Sequence, residues 1–121
     1  MEKVQGIGGF FFRAQDPAGL AAWYDKHLGV SPAPTDMETP PWVSSSGVTV
    51  FAPFAADTDY FDEKQSFMLN FRVNDLDKMI EQLRKAKIAI SHEMTMDGIG
   101  RFARIHDPEG NPIELWEPTS D

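Results

Sequence analysis

Within the closing stretch HDPEGNPIELWEP, residues 106–118, Glu114 stands between Ile113 and Leu115. Successive side chains of a strand leave opposite faces, so this carboxylate either faces water or points into a cavity. In a cavity it can serve as a general base, accept a ligand's hydrogen bond, or join a cation site. Other chemistry-bearing residues are sparse. His27 falls in a helical pattern and His92 in a strand region. His106 precedes the final turn, where it reads as an acid–base candidate or as a strand-end residue capping the Asp107 turn. There is no cysteine, which excludes disulfides and thiolate ligands, and no nucleophile elbow. The GIGG run at 6–9 precedes a strand, whereas a dinucleotide fingerprint follows one and opens a helix. The DTDYFDEKQ run at 57–65 carries Asp62 where a calcium loop needs glycine.

The elements that must position Glu114 come from a repeat. FFRAQDP at 11–17 resembles NFRVNDL at 70–76, so Phe12, Arg13 and Asp16 recur as Phe71, Arg72 and Asp75. A helical pattern follows each copy. Asp16 caps the first, with Pro17 at its first position and Leu20, Trp23, Tyr24 and Leu28 as its stripe before Gly29. Asp75 caps the second, which carries Leu76, Met79, Ile80 and Leu83. TVFAP at 49–53 resembles ELWEP at 114–118, so the copies end alike. Each half has room for two more strands: about 30–33 and 42–45 in the first, about 88–92 and 101–105 in the second. The reading is α+β, with two βαβββ modules (about 5–54 and 66–118) pairing into one curved mixed sheet, helices outside and a central cavity. The acidic segment of about 54–65 links them within a single domain, 1–121.

Composition narrows the function classes. At 121 residues and 41% hydrophobic content the chain can bury one core. Eleven Lys and Arg against nineteen Asp and Glu give a net charge of −8, which repels nucleic acid and anionic membrane surfaces. The opening apolar run is too short for a signal-peptide core and is interrupted by Arg13 and Asp16, so the expected location is cytoplasmic.

The opening GIGGFFFRAQDPAGLAAWYDKHLGV, the central NFRVNDLDKMIEQL and the closing GRFARIHDPEGNPIELWEP resemble the vicinal oxygen chelate superfamily, which includes glyoxalase I, bleomycin-resistance proteins and extradiol dioxygenases. The resemblance covers nearly the whole chain. It implies a paired-module fold, a homodimer, and, in metal-dependent members, an ion held by the first and last strands of each half. Carried onto this sequence, those ligand positions fall on Gly9, Thr49, Met68 and Glu114, and the internal repeat relates Gly9 to Met68 and Thr49 to Glu114. Glycine offers no side chain, a thioether suits hard cations poorly, and one carboxylate with one hydroxyl is too few. No metal and no other cofactor is therefore expected.

If Gly9, Met68 and Glu114 face inward, strand alternation brings Phe11, Arg13, Thr49, Phe51, Asn70, Arg72 and Trp116 to the same face as substrate-binding candidates, with Glu114 as the candidate catalytic base. Phe10, Phe12, Leu69, Phe71, Ile113 and Leu115 then form the layer beneath the helices. Arg13 and Arg72 either sit at the cavity rim or pair with Asp16 and Asp75. The leading function is metal-free binding or sequestration of a small molecule. The alternatives are a lyase, isomerase or dioxygenase-like enzyme acting on a small carbonyl or aromatic compound, and a module that acts through its surface. Elemental analysis is expected to find no stoichiometric divalent metal. About one ion per chain, lost on Glu114→Ala, would contradict this.

Overall fold

The computed structural model describes residues 1–120. Two helices and four strands follow in the order α1 (Pro17–Leu28), β1 (Leu69–Arg72), α2 (Leu76–Lys85), β2 (Ser91–Met96), β3 (Gly100–His106) and β4 (Pro112–Pro118). The class is α+β. The strands form one open mixed sheet in the order β1-β4-β3-β2, with β1 parallel to β4 and the other neighbours antiparallel. The second half thus reads strand, helix, three strands, as its pattern predicts. β2 begins at Ser91 rather than near residue 88; Lys87 takes a positive φ (62°) where the chain leaves α2, and His92 (φ 51°) sits in the irregularity between Ser91 and Met94 inside the strand.

Each helix begins where its cap says it should. The Asp16 carboxylate accepts from the Gly19 amide at 3.0 Å, and Asp75 accepts from the Lys78 amide at 3.0 Å. Pro17 occupies the start of α1, where its missing N–H costs nothing, and Gly29 ends the helix in the left-handed conformation (φ 73°) that a side chain disfavours. The helices then cover one face of the sheet. Leu20 and Tyr24 of α1 and Leu76, Ile80 and Leu83 of α2 bury against Ala103, Ile105, Ile113 and Leu115. Ile105 and Ile113 are 0% exposed, and burial of such a side chain contributes roughly 1.5–3 kcal/mol. Phe12 and Phe71, expected in this layer, pack against it as half-buried neighbours, whereas Phe10 is exposed.

The first half departs from expectation. α1 forms, but the segments expected as strands near 9–13, 30–33, 42–45 and 49–53 have no ladder partners among the described residues, so the sheet belongs to the second module. Proline explains much of this. Pro32, Pro34, Pro40, Pro41 and Pro53 remove ladder donors, and Gly6, Gly8 and Gly9 loosen the opening segment. Parts of these segments pack on the helix side, where Phe12, Ala14 and Val30 meet the core and Trp42 meets the Phe71 ring, while the Ser45 and Ser46 carbonyls meet Arg72 on the other face.

The turn between β3 and β4 ties the first module to the second. Asp107 is buried, and its two carboxylate oxygens accept from Tyr24 Oη (2.7 Å), Asn111 Nδ2 (2.8 Å) and the amides of Glu109 (2.9 Å) and Asn111 (3.0 Å). Glu109 in turn accepts from the amides of Gln15 and Asp16, at 2.6 and 2.9 Å. The turn therefore fixes the hairpin and pins the start and middle of α1 to it. Burial, the hydrogen bond to Asp107 and that carboxylate's charge push the Tyr24 phenol far up.

Candidate functional site

β4 lies between β1 and β3, and its register sets the site. Asn70 of β1 and Arg104 of β3 are both Cα partners of Glu114, while Arg72 and Phe102 are partners of Trp116. One row of the face away from the helices reads Asn70, Glu114, Arg104. The next reads Arg72, Trp116, Phe102. Residues at neighbouring positions on the strands, Leu69, Phe71, Ala103, Ile105, Ile113 and Leu115, take the helix face.

Glu114 is 8% exposed and engaged at both oxygens. Asn70 Nδ2 donates to Oε1 at 2.8 Å, and Tyr60 Oη donates to Oε2 at 2.5 Å. The Arg104 guanidinium carbon lies 5.0 Å from the centre of the Tyr60 ring, in cation–π contact. Burial, the hydrogen bond to Glu114 and its charge together push the Tyr60 phenol up to about 12, against an opposing effect of Arg104. Trp116 Nε1 donates to the Ile99 carbonyl at 3.0 Å, and its ring stacks on Phe102 at 6.0 Å with the planes 3° apart. A side chain at Gly100 would collide with this indole and with the Glu117 carbonyl, so glycine is required there.

Over Asn70, Glu114, Arg72 and Trp116 and around the β1 edge runs a cleft of about 1270 Å³, walled by the first half's extended segments and by α1 and α2 residues such as Leu20, Tyr24 and Met79; Arg104 and Phe102 do not line it. Gly9, Thr49, Phe51, Met68, Asn70, Arg72, Glu114 and Trp116 all line it, together with Trp42 and Phe54. Two expected members do not. Phe11 is 94% exposed, and Arg13 is exposed and off the cleft; with no ladder to fix its alternation, the first segment turns these side chains to solvent. Arg72 lines the cleft but spends its guanidinium on the Ser45 and Ser46 carbonyls, at 2.9 and 3.3 Å, and not on Asp75. His106 is exposed at the end of β3, opposite Pro112.

Sequence reasoning missed two residues. Arg104 was open to discovery, since the DPEGN turn fixes the hairpin register and places position 104 beside 114. Tyr60 lay in the acidic segment read as a linker, where no periodicity marks an inward side chain. The four positions that the resemblance assigns to an ion do not fit one. Gly9 brings no donor, Met68 a thioether, and Glu114 already holds an O–H and an N–H donor. Among the described residues no group of three or more His, Asp or Glu gathers where a cation would sit. Nor is any described helix long and apolar enough to cross a membrane.

Comparison with known proteins places this geometry. Residues 9–116 match the family described as Glyoxalase-like domain. The chain belongs to that family. Solved structures resemble the glyoxalase-like domain over its whole length. TnmS3, an antibiotic binding protein from Streptomyces sp. CB03234, is 23% identical, with 98% of this chain and 100% of that one covered and a TM-score of 0.64. A structure from the mobile metagenome of V. Pseudocholerae is 20% identical, with 99% of both chains covered and a TM-score of 0.65. Lactoylglutathione lyase from Agrobacterium tumefaciens is 14% identical, with 96% of both covered and a TM-score of 0.59. At these identities the likeness establishes the fold. None of the curated proteins matches the chain.

The raised Tyr60 ionisation carries a signed pH dependence. Its protonated contacts contribute fully below the ordinary phenol value of about 10, and the contribution is lost as pH rises through about 12. Tyr24, the other of two tyrosines, lies higher still. Spectrophotometric titration is expected to show little tyrosinate in the folded protein up to about pH 11, and Tyr60→Phe should remove the step near 12. A full tyrosinate step near pH 10 in folded protein would contradict the half-buried Tyr60–Glu114 contact.

Proposed function

We propose that this glyoxalase-like domain binds and sequesters a small organic molecule in the cleft over Asn70, Glu114 and Trp116. The observation that carries the reading is Glu114: a carboxylate on the cleft floor with each oxygen already held by a protein donor. Proton abstraction would compete with both hydrogen bonds, whereas a ligand donor can simply take the place of Tyr60. Trp42, Phe51 and Trp116 supply aromatic wall, and a few convergent polar groups supply orientation, as small-molecule sites require. The full-length likeness to a protein described as antibiotic binding agrees with this use of the fold.

In this reading the two modules, about 5–54 and 66–118, work as one domain, with residues 54–65 as a cover rather than a spacer. Two chains associate through the first module, where Val4, Phe11 and Met37 expose their apolar side chains away from the cleft. The lyase, isomerase and dioxygenase readings lack a free base and a fitting ion set.

Thermal-shift screening against a chemically broad panel is expected to find ligands whose stabilisation falls by about tenfold in affinity or more in Glu114→Ala or Asn70→Ala. The same protein should sediment as a dimer and leave methylglyoxal hemithioacetal and catechols at background turnover, with or without added metal. Silence across the panel, or turnover that depends on Glu114, would contradict the proposal.

A further inference from the structure

Arg104 is 5% exposed, and its Nε is enclosed with no hydrogen-bond partner. The ion pairs formed among the described residues use Arg84, Lys85 and Arg101 on the surface, and none reaches Arg104. A guanidinium withdrawn from water without a carboxylate partner is costly, and β3 needs no charge at this position. Phe102, two residues earlier on the same face, shows that an apolar side chain can occupy this side of the strand.

What covers Arg104 is Tyr60, whose ring contacts the guanidinium and whose hydroxyl is tied to Glu114. Tyr60 belongs to residues 54–65, which form turns but no helix or strand, and it packs on Phe54, a cleft-lining residue, at 5.6 Å between ring centres. Moving this one phenol away frees an acceptor at Glu114 Oε2 and takes the aromatic face off the Arg104 cation. Asn70 continues to hold the other Glu114 oxygen.

Resting on the binding reading above, we propose that Arg104 is the anion-recognising residue of the ligand site. Its ligand is an aromatic molecule bearing an anionic oxygen group and a separate hydroxyl or amine donor, which displaces Tyr60 from between Arg104 and Glu114. The donor takes over the Tyr60 hydrogen bond to Glu114, and a planar carboxylate pairs with the guanidinium fork. Both poles are needed. An anion without the donor meets the Glu114 charge uncompensated, and the protein's net charge of −8 disfavours anions that lack a local cation. A single cation beneath Tyr60 thereby lets an acidic protein hold an anion.

The test titrates meta-hydroxybenzoate, its methyl ester, benzoate and phenol into isotope-labelled protein, following the Arg104 Nε–H and Trp116 indole resonances. Meta-hydroxybenzoate is expected to bind about tenfold or more tighter than each of the other three and to shift Arg104 Nε–H, the effect of one hydrogen bond to a charged group. The advantage over the ester should vanish in Arg104→Gln and persist in Arg104→Lys, and Tyr60→Ala should bind more tightly than wild type. The wild-type comparison stands even if Arg104→Gln fails to fold. Equal binding of acid and ester at Trp116 would overturn the proposal and leave the binding reading intact. No shift with any probe, while the broad panel still yields a ligand, would do the same. Silence in both experiments would remove the two together.

Discussion

Strand β4 has neighbours on both edges and different surroundings on its two faces, and this double constraint governs the molecule. Ile113 and Leu115 must reach the helices, so Glu114 and Trp116 must leave them. A slip of one residue would exchange the two sets, placing a carboxylate under α1 and α2 and two aliphatic side chains in the cleft. The hydrophobic contact on one face therefore fixes the polar geometry on the other. Stability and site are one register decision.

That decision is enforced at the Asp107 turn. Four donors converge on its carboxylate, from the turn itself and from α1, so the hairpin cannot shift without also breaking the attachment of the first module. Truncating one partner of such a buried group typically costs about 1–3 kcal/mol. Glu117 extends the same logic at the far end of β4, where its carboxylate accepts from the first amide of α2, Leu76, at 2.8 Å. This inner strand is thus anchored at both ends to the helices that cover it.

How much of this was legible follows from where each residue sits. The second module could be read because Ile113, Leu115 and the Leu76, Ile80, Leu83 stripe keep their periods, and because Asp16, Asp75, Gly29 and the DPEGN turn carry their own local geometry. The inward direction of Glu114, Asn70 and Trp116 followed from parity once one residue was placed. The first module's strands were overread, since apolar bulk at Val30, Trp42 and Phe51 signals a strand while the surrounding prolines withhold the ladder. Phe11 and Arg13 went astray for the same reason: parity has meaning only where pairing fixes the strand. Arg104 was recoverable from the hairpin register. Tyr60 was not, because a loop side chain reaches its partner through tertiary packing that no local pattern encodes.

The central claim is that Glu114 looks inward, held between Asn70 and Tyr60 and shielded from solvent. Carbodiimide footprinting of the native protein, mapped by fragment mass spectrometry, tests this directly. The exposed carboxylates, such as Asp77, should label rapidly while Glu114 stays nearly unmodified until the protein is unfolded or Tyr60 is replaced by alanine. Labelling of Glu114 at the rate of Asp77 in the native state would place it on an outer wall and contradict the account.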